Sequence, residues 1–227
     1  MPGAPNGRAL PELLARKNAL ELRERCTPEL AVRVRELRAW QALRVARTYA
    51  DLRSAPRYRF AVEFFLSDVY GPQDFGARTR NLEHSLAHLQ PLLPETALRV
   101  LLQSIELDAL TAELDHAMAE QVLTLPLCEA AYATAYRAVG QAATRSRQLD
   151  LLLGVVADLE AIARHAWTGV LLRAARLPAQ VAGFGQLQDF LERGFVAFER
   201  MRGAEELLRV LQERETRFMQ TVLFAGE

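Results

Sequence analysis

The sequence predicts an all-α protein, a multi-helix bundle of about eight or nine helices with mostly antiparallel neighbours. Three observations carry that expectation. Leu and Ala number 38 and 36 of the 227 residues, whereas Ile occurs only at Ile105 and Ile162. Strong helix formers therefore dominate, and β-branched residues are sparse. Apolar residues recur at three-four spacing along most of the chain, the period of one helical face. No segment alternates apolar and polar residues between turn signals, as a half-buried strand does.

Residues 1–8 hold two Pro and two Gly with nothing to bury and read as a flexible tail, which leaves 9–227 as one all-helical domain. A first helix is expected from Leu10 to Arg25. Thr27 and Pro28 read as N-cap and first residue of the second, which runs to Leu52. Its apolar set is Leu30, Val34, Leu37, Leu43 and Leu52, and Arg33, Arg35, Arg38, Arg44 and Arg47 form a basic outer face. Pro56 breaks the pattern. A third helix, Arg57 to Tyr70, carries Phe60, Phe64 and Phe65 and ends at Gly71-Pro72. Asp74 is placed to cap a fourth, which reaches Leu89.

The longest pattern runs from Glu95 to Leu123, roughly 40 Å at 1.5 Å per residue, and Pro126 stops it. A short helix, Cys128 to Val139, ends at Gly140. Thr144 to Arg176 reads as one helix, apolar on nearly every side through Leu149, Leu151, Leu152, Val155, Val156 and Leu159, and hence central. Pro178 to Gly185 reads as a break or a weak helical turn. Phe184, Leu187, Leu191, Phe195, Phe198 and Met201 then form one seam, in which Gly194 leaves room for a close neighbour. The last helix, Ala204 to Leu223, repeats the spacing with Leu207, Leu211, Phe218 and Val222.

Charge and composition narrow the function. The 28 basic residues balance 28 acidic ones, which argues against a domain built to grip nucleic-acid phosphate. The arginine face of the second helix is the one candidate for nucleic acid or a membrane surface, and Glu29, Glu36 and Asp51 interrupt it. No run of about 18 uncharged apolar residues occurs, so no transmembrane segment is expected. The first ten residues lack a basic start followed by an apolar core, so a cytoplasmic protein is expected. Lys17 is the sole lysine. That bias reads first as the base composition of the coding sequence and second as dense ion pairing. Cys26 and Cys128 make no disulfide framework or zinc site and read as small apolar fillers.

The stretch Phe64-Phe65-Leu66-Ser67-Asp68-Val69-Tyr70-Gly71-Pro72-Gln73-Asp74-Phe75 resembles the signature of the bacterial FFLEELY-motif proteins, with Ser67, Asp68 and Val69 where the name has Glu, Glu and Leu. Leu187-Gln188-Asp189-Phe190-Leu191-Glu192-Arg193-Gly194-Phe195 is also similar to that family, and the resemblance covers most of the chain. It implies an all-α structure and no assigned activity. The first stretch reads as a helix-turn-helix corner pinned by aromatics. The alternative is a binding corner in which Tyr70, Asp74, Arg78 and Arg80 meet a ligand or partner.

Three of the four histidines bear on metal chemistry. His84 and His88 are four apart and share a helical face, and Glu113 and His116 form one Glu-x-x-His unit. Di-iron bundles use two such units, and only one is present. Glu106, Asp108, Glu113, Asp115 and Glu120 otherwise read as a solvated acidic face, with the histidines at the surface. No Gly-x-Ser-x-Gly elbow and no Walker motif occurs, and no particular cofactor is implied. Two functions stay open. One is a non-enzymatic protein that binds a partner or itself. The other is a helical-bundle metal-dependent enzyme or small-ligand carrier with its site between helices.

Overall fold

A computed structural model describes residues 10–69, 95–124, 126–181 and 185–224, and every regular element among them is helical. In chain order these are α1 (Leu10–Cys26), α2 (Pro28–Thr48), α3 (Ala50–Ser54), α4 (Arg59–Phe64) continued by a π-helical turn (Phe65–Val69), α5 (Glu95–Gln121), α6 (Glu129–Val139), α7 (Ala142–Ala163), α8 (Ala166–Val181), α9 (Gly185–Met201) and α10 (Glu205–Phe224). The expected tail at 1–8 and the expected fourth helix from Asp74 to Leu89 lie outside the described residues.

α7 is the central element. It packs against α5, α8, α9 and α10. Leu151, Leu152, Val155 and Val156 are all buried, as a helix apolar on several sides requires. Around it the apolar side chains gather into two clusters. One joins α3, α4, α7, α9 and α10 through Phe64, Phe65, Leu152, Val156, Phe198 and Leu207. The other joins α2, α5 and α6 through Leu30, Val34, Leu37, Met118, Tyr132 and Tyr136. Polar residues separate the two clusters, and they form the site described below.

Four expectations need correction. The helix expected from Thr144 to Arg176 is two helices. Thr168 Oγ1 donates to the Ile162 carbonyl at 2.9 Å, taking an acceptor the helix would otherwise use, and the chain turns at Arg164 and His165. Where the sequence predicts a break or a weak helical turn from Pro178, α8 continues to Val181, because a proline near a helix end forfeits few bonds; 182–184 lie outside the described residues. The second helix stops at Thr48, and Tyr49 separates it from α3. Tyr49 Oη donates to Glu215 Oε1 of α10 at 2.8 Å and so holds that junction. Cys26 and Cys128, expected in the core, are exposed and unbonded. Each stands at a helix boundary, where the chain has reached the surface.

Side chains of α2 also depart from expectation. Leu43 is exposed, whereas Arg38 and Arg44 turn inward onto Asp115 and Glu215. Arginine pairs tie helices together elsewhere. Arg99 grips Asp158 through two bonds of 2.7 Å, and Arg147 grips Glu106 through two of 2.9 Å, both joining α7 to α5. Arg57 donates to the carbonyls of Met201, Arg202 and Gly203. The first of these is an acceptor that the end of α9 leaves unpaired, and the other two lie in the link to α10. Among the described residues, no helix is long and apolar enough to cross a membrane.

Candidate functional site

The polar residues between the two apolar clusters line a cavity of about 90 Å³, bounded by α2, α5, α6, α7 and α10. Its chemistry follows from polar residues set into otherwise apolar faces. On α7, Arg145, Gln148, Leu149 and Leu152 share one face at three-four spacing and all reach the cavity. α6 contributes Tyr132 and Tyr136, one turn apart. α5 contributes Thr111 and Asp115 among Leu107, Leu114 and Met118. Gln41 and Arg44 of α2 and Glu215 of α10 complete the polar lining.

Most of these groups are paired. Asp115, 2% exposed, accepts from Arg38 Nε at 2.9 Å and from Gln41 Nε2 at 3.1 Å. The net effect on Arg38 is an upward shift: burial pulls it down, and the carboxylate of Asp115 outweighs that. Arg44 holds Glu215 through bonds of 3.2 and 2.9 Å and lies over the Phe218 ring at 4.2 Å. Gln148 Nε2 donates to Thr111 Oγ1 at 2.7 Å, which donates in turn to the Leu107 carbonyl.

Arg145 differs. It is 6% exposed. Its Nε donates to the Gly140 carbonyl at 2.8 Å, and its guanidinium carbon lies 3.5 Å from the centre of the Tyr136 ring. Its Nη2 is buried with no hydrogen-bond partner among the described residues. The two phenols beside it stay protonated far into the alkaline range. Burial pushes Tyr132 up to about 12 against the pull of Arg44 and Gln41, and it raises Tyr136 against the pull of Arg145.

The sequence-derived candidates fall elsewhere. Tyr70, Asp74, Arg78, Arg80, His84 and His88 lie outside the described residues. Glu113 and His116 are not brought together; both face α1. Glu113 lies 3.7 Å from Arg16. His116 is buried, not at the surface: Nδ1 is 2.7 Å from the Ala112 carbonyl, and Nε2 is 2.9 Å from Glu24 Oε1, an ion-pair distance without hydrogen-bond alignment. Among the described residues no group of three His, Cys, Asp or Glu side chains is placed to hold a metal ion. The expected solvated acidic face of α5 is instead docked. Asp108 pairs with Lys17, Glu120 with Arg23, Glu106 with Arg147 and Asp115 with Arg38.

The two stretches that carry the family resemblance meet in space. Phe64 packs on Phe190 with ring centres 5.1 Å apart, and Gly194 lies beneath it. Phe60, Glu63, Ser67, Glu192 and Val196 line an open groove beside that contact.

Arg145 was not singled out in the sequence, because one arginine among 27 has no visible context. The signal present was a polar pair, Arg145 and Gln148, in phase with the buried Leu152. The model of the family described as a domain of unknown function, DUF8198, matches residues 21–227. No curated protein and no solved structure matches the chain.

Proposed function

We propose that this chain, which belongs to the DUF8198 family, is a non-enzymatic binding protein that holds a small polar ligand in the cavity between α2, α5, α6, α7 and α10. One observation carries this reading: the buried Arg145 lines the cavity and keeps a donor without a partner among the described residues. Buried polar groups are paired in the great majority of cases, so an exception calls for an explanation. Binding is favoured over covalent chemistry because the described lining offers no Ser, Cys or His, and both of its carboxylates are taken up by arginines. This is the carrier form of the two functions left open by the sequence. The resemblance to the FFLEELY-motif proteins and a bacterial cytoplasmic origin accompany it as expectations.

Native mass spectrometry of untagged protein tests it, paired with thermal-shift titrations using small acids, alcohols and amines. A bound organic mass, or a saturable stabilisation by one class, is expected. Stabilisation by none of them, with no excess mass, refutes the reading.

A second reading, self-association, has its own observation. Trp167, Val170, Leu171, Leu177 and Val181 of α8 are all more than half exposed, and at 100° per residue they fall within an arc of about 120°. An apolar stripe of this kind is self-complementary about a two-fold axis. Light scattering coupled to gel filtration should then show a dimer that Leu177→Asp dissociates; a monomer at high concentration ends this reading.

A further inference from the structure

The charge arithmetic of the cavity points to the kind of ligand, and the inference rests on the binding reading above. Two pairings account for three of the four charged groups in the described lining. Arg44 is matched by Glu215, and Asp115 is matched by Arg38. Arg145 is left. It forms no ion pair with a described residue; it meets the neutral Gly140 carbonyl and the neutral phenol of Tyr136. The buried guanidinium of Arg145 is a positive charge to which no described carboxylate is paired. A buried charge without a counter-charge is costly.

We infer that the ligand is a small monovalent carboxylate whose charged end lies on Arg145 and whose short apolar body lies against Leu107, Leu114, Met118 and Leu149. One negative charge supplies the ion-pair partner that Arg145 lacks among the described residues. A dianion brings a second charge with no such partner, and a cation is repelled. The planar fork of arginine matches a carboxylate in geometry as well as charge. The apolar walls distinguish a carboxylate with a hydrocarbon tail from inorganic phosphate, which offers them nothing to bury. Size sets the upper limit. A cavity of about 150 Å³ accepts benzene, so about 90 Å³ suits a chain of a few carbons.

The test is calorimetric titration of the full chain at constant ionic strength with four compounds: butyrate, butanol, butylamine and inorganic phosphate. Butyrate is expected to bind at least tenfold more tightly than the other three. Arg145→Met should abolish that preference. A second measurement does not depend on the variant folding. Butyrate titrations at neutral pH in two buffers of different ionisation heat should show no proton uptake, because the anion itself is bound. Uptake of one proton means that the neutral acid binds, and this overturns the inference. Equal or tighter binding of butanol, butylamine or phosphate also overturns it, while leaving the cavity as a binding site. Binding of none of the four, together with no stabilisation in the wider thermal-shift panel, removes the binding reading itself.

Discussion

Phe64 lies on the bare backbone of Gly194: its Cζ is 3.1 Å from where a Cβ on that residue would stand. A methyl group there fits only if the ring gives way. Phe64 is buried against Phe65, Phe190 and Phe198, so it has little room to do so. Gly194→Ala is therefore expected to cost about 1–2 kcal/mol despite the better helix propensity of alanine. In a Phe64→Leu background the same change should cost less. Urea denaturation of the four proteins in this cycle checks the coupling. Equal costs in both backgrounds would show that Phe64 is not what excludes the side chain.

Asp115 is the most deeply buried carboxylate described, and it is matched by Arg38 and Gln41. Asp115→Asn removes the charge and leaves Arg38 unbalanced. Breaking a fully buried pair costs about 3–5 kcal/mol. The Arg38 side chain is 42% exposed, so water recovers part of that, and a loss of about 2 kcal/mol is expected. The urea midpoint should fall with the slope unchanged. A midpoint like that of the wild type would show that the pair contributes nothing.

The alkaline limit of stability should lie in the cavity. Burial raises Tyr132 from 10.0 to about 12, and Tyr136 shifts the same way. The folded protein then holds phenolic protons that the unfolded chain releases. Their contribution is complete below pH 10 and is lost as pH rises from 10 toward 12. Tyr132→Phe should flatten the stability profile in that window, as read by urea midpoints at successive pH values. An unchanged slope in the variant would place the alkaline transition elsewhere.

An opposite dependence is expected at the α3–α10 contact. Arg214 hydrogen-bonds Asp51 and holds its carboxyl at about 2, below the usual 3.8. The depressed value makes this contribution present above pH 3.8 and lost as pH falls toward 2. Because Asp51 is exposed, the effect is shallow. Nuclear magnetic resonance titration of Asp51 should show the low midpoint in the wild type and a return to the ordinary range in Arg214→Met.

Much of the fold was legible because helices announce themselves locally. The boundaries at Pro28, Gly140 and Met201 are set by proline, glycine and the end of an apolar seam, and the structure places helix ends there. The turn at Arg164 and His165 carries no such residue. It depends on a threonine hydroxyl capturing a carbonyl six residues back, which only the folded geometry reveals. The candidate site was less legible still. Glu113 and His116 stand in a recognisable spacing, yet both are drawn to α1. Arg145 stands in no recognisable motif.

By itself, then, the sequence determined the helical class, most helix boundaries, the central place of the helix that begins near Thr144, and the close approach at Gly194. These follow from propensity, periodicity and the size of one side chain, all local properties. Tertiary structure alone decided which arginine meets which carboxylate. Arg38 and Arg44 look like their solvent-facing neighbours on α2 until Asp115 and Glu215 arrive from α5 and α10. Pairing is a relation between distant residues, and so is its absence: Arg145 stands out because no carboxylate among the described residues pairs with it.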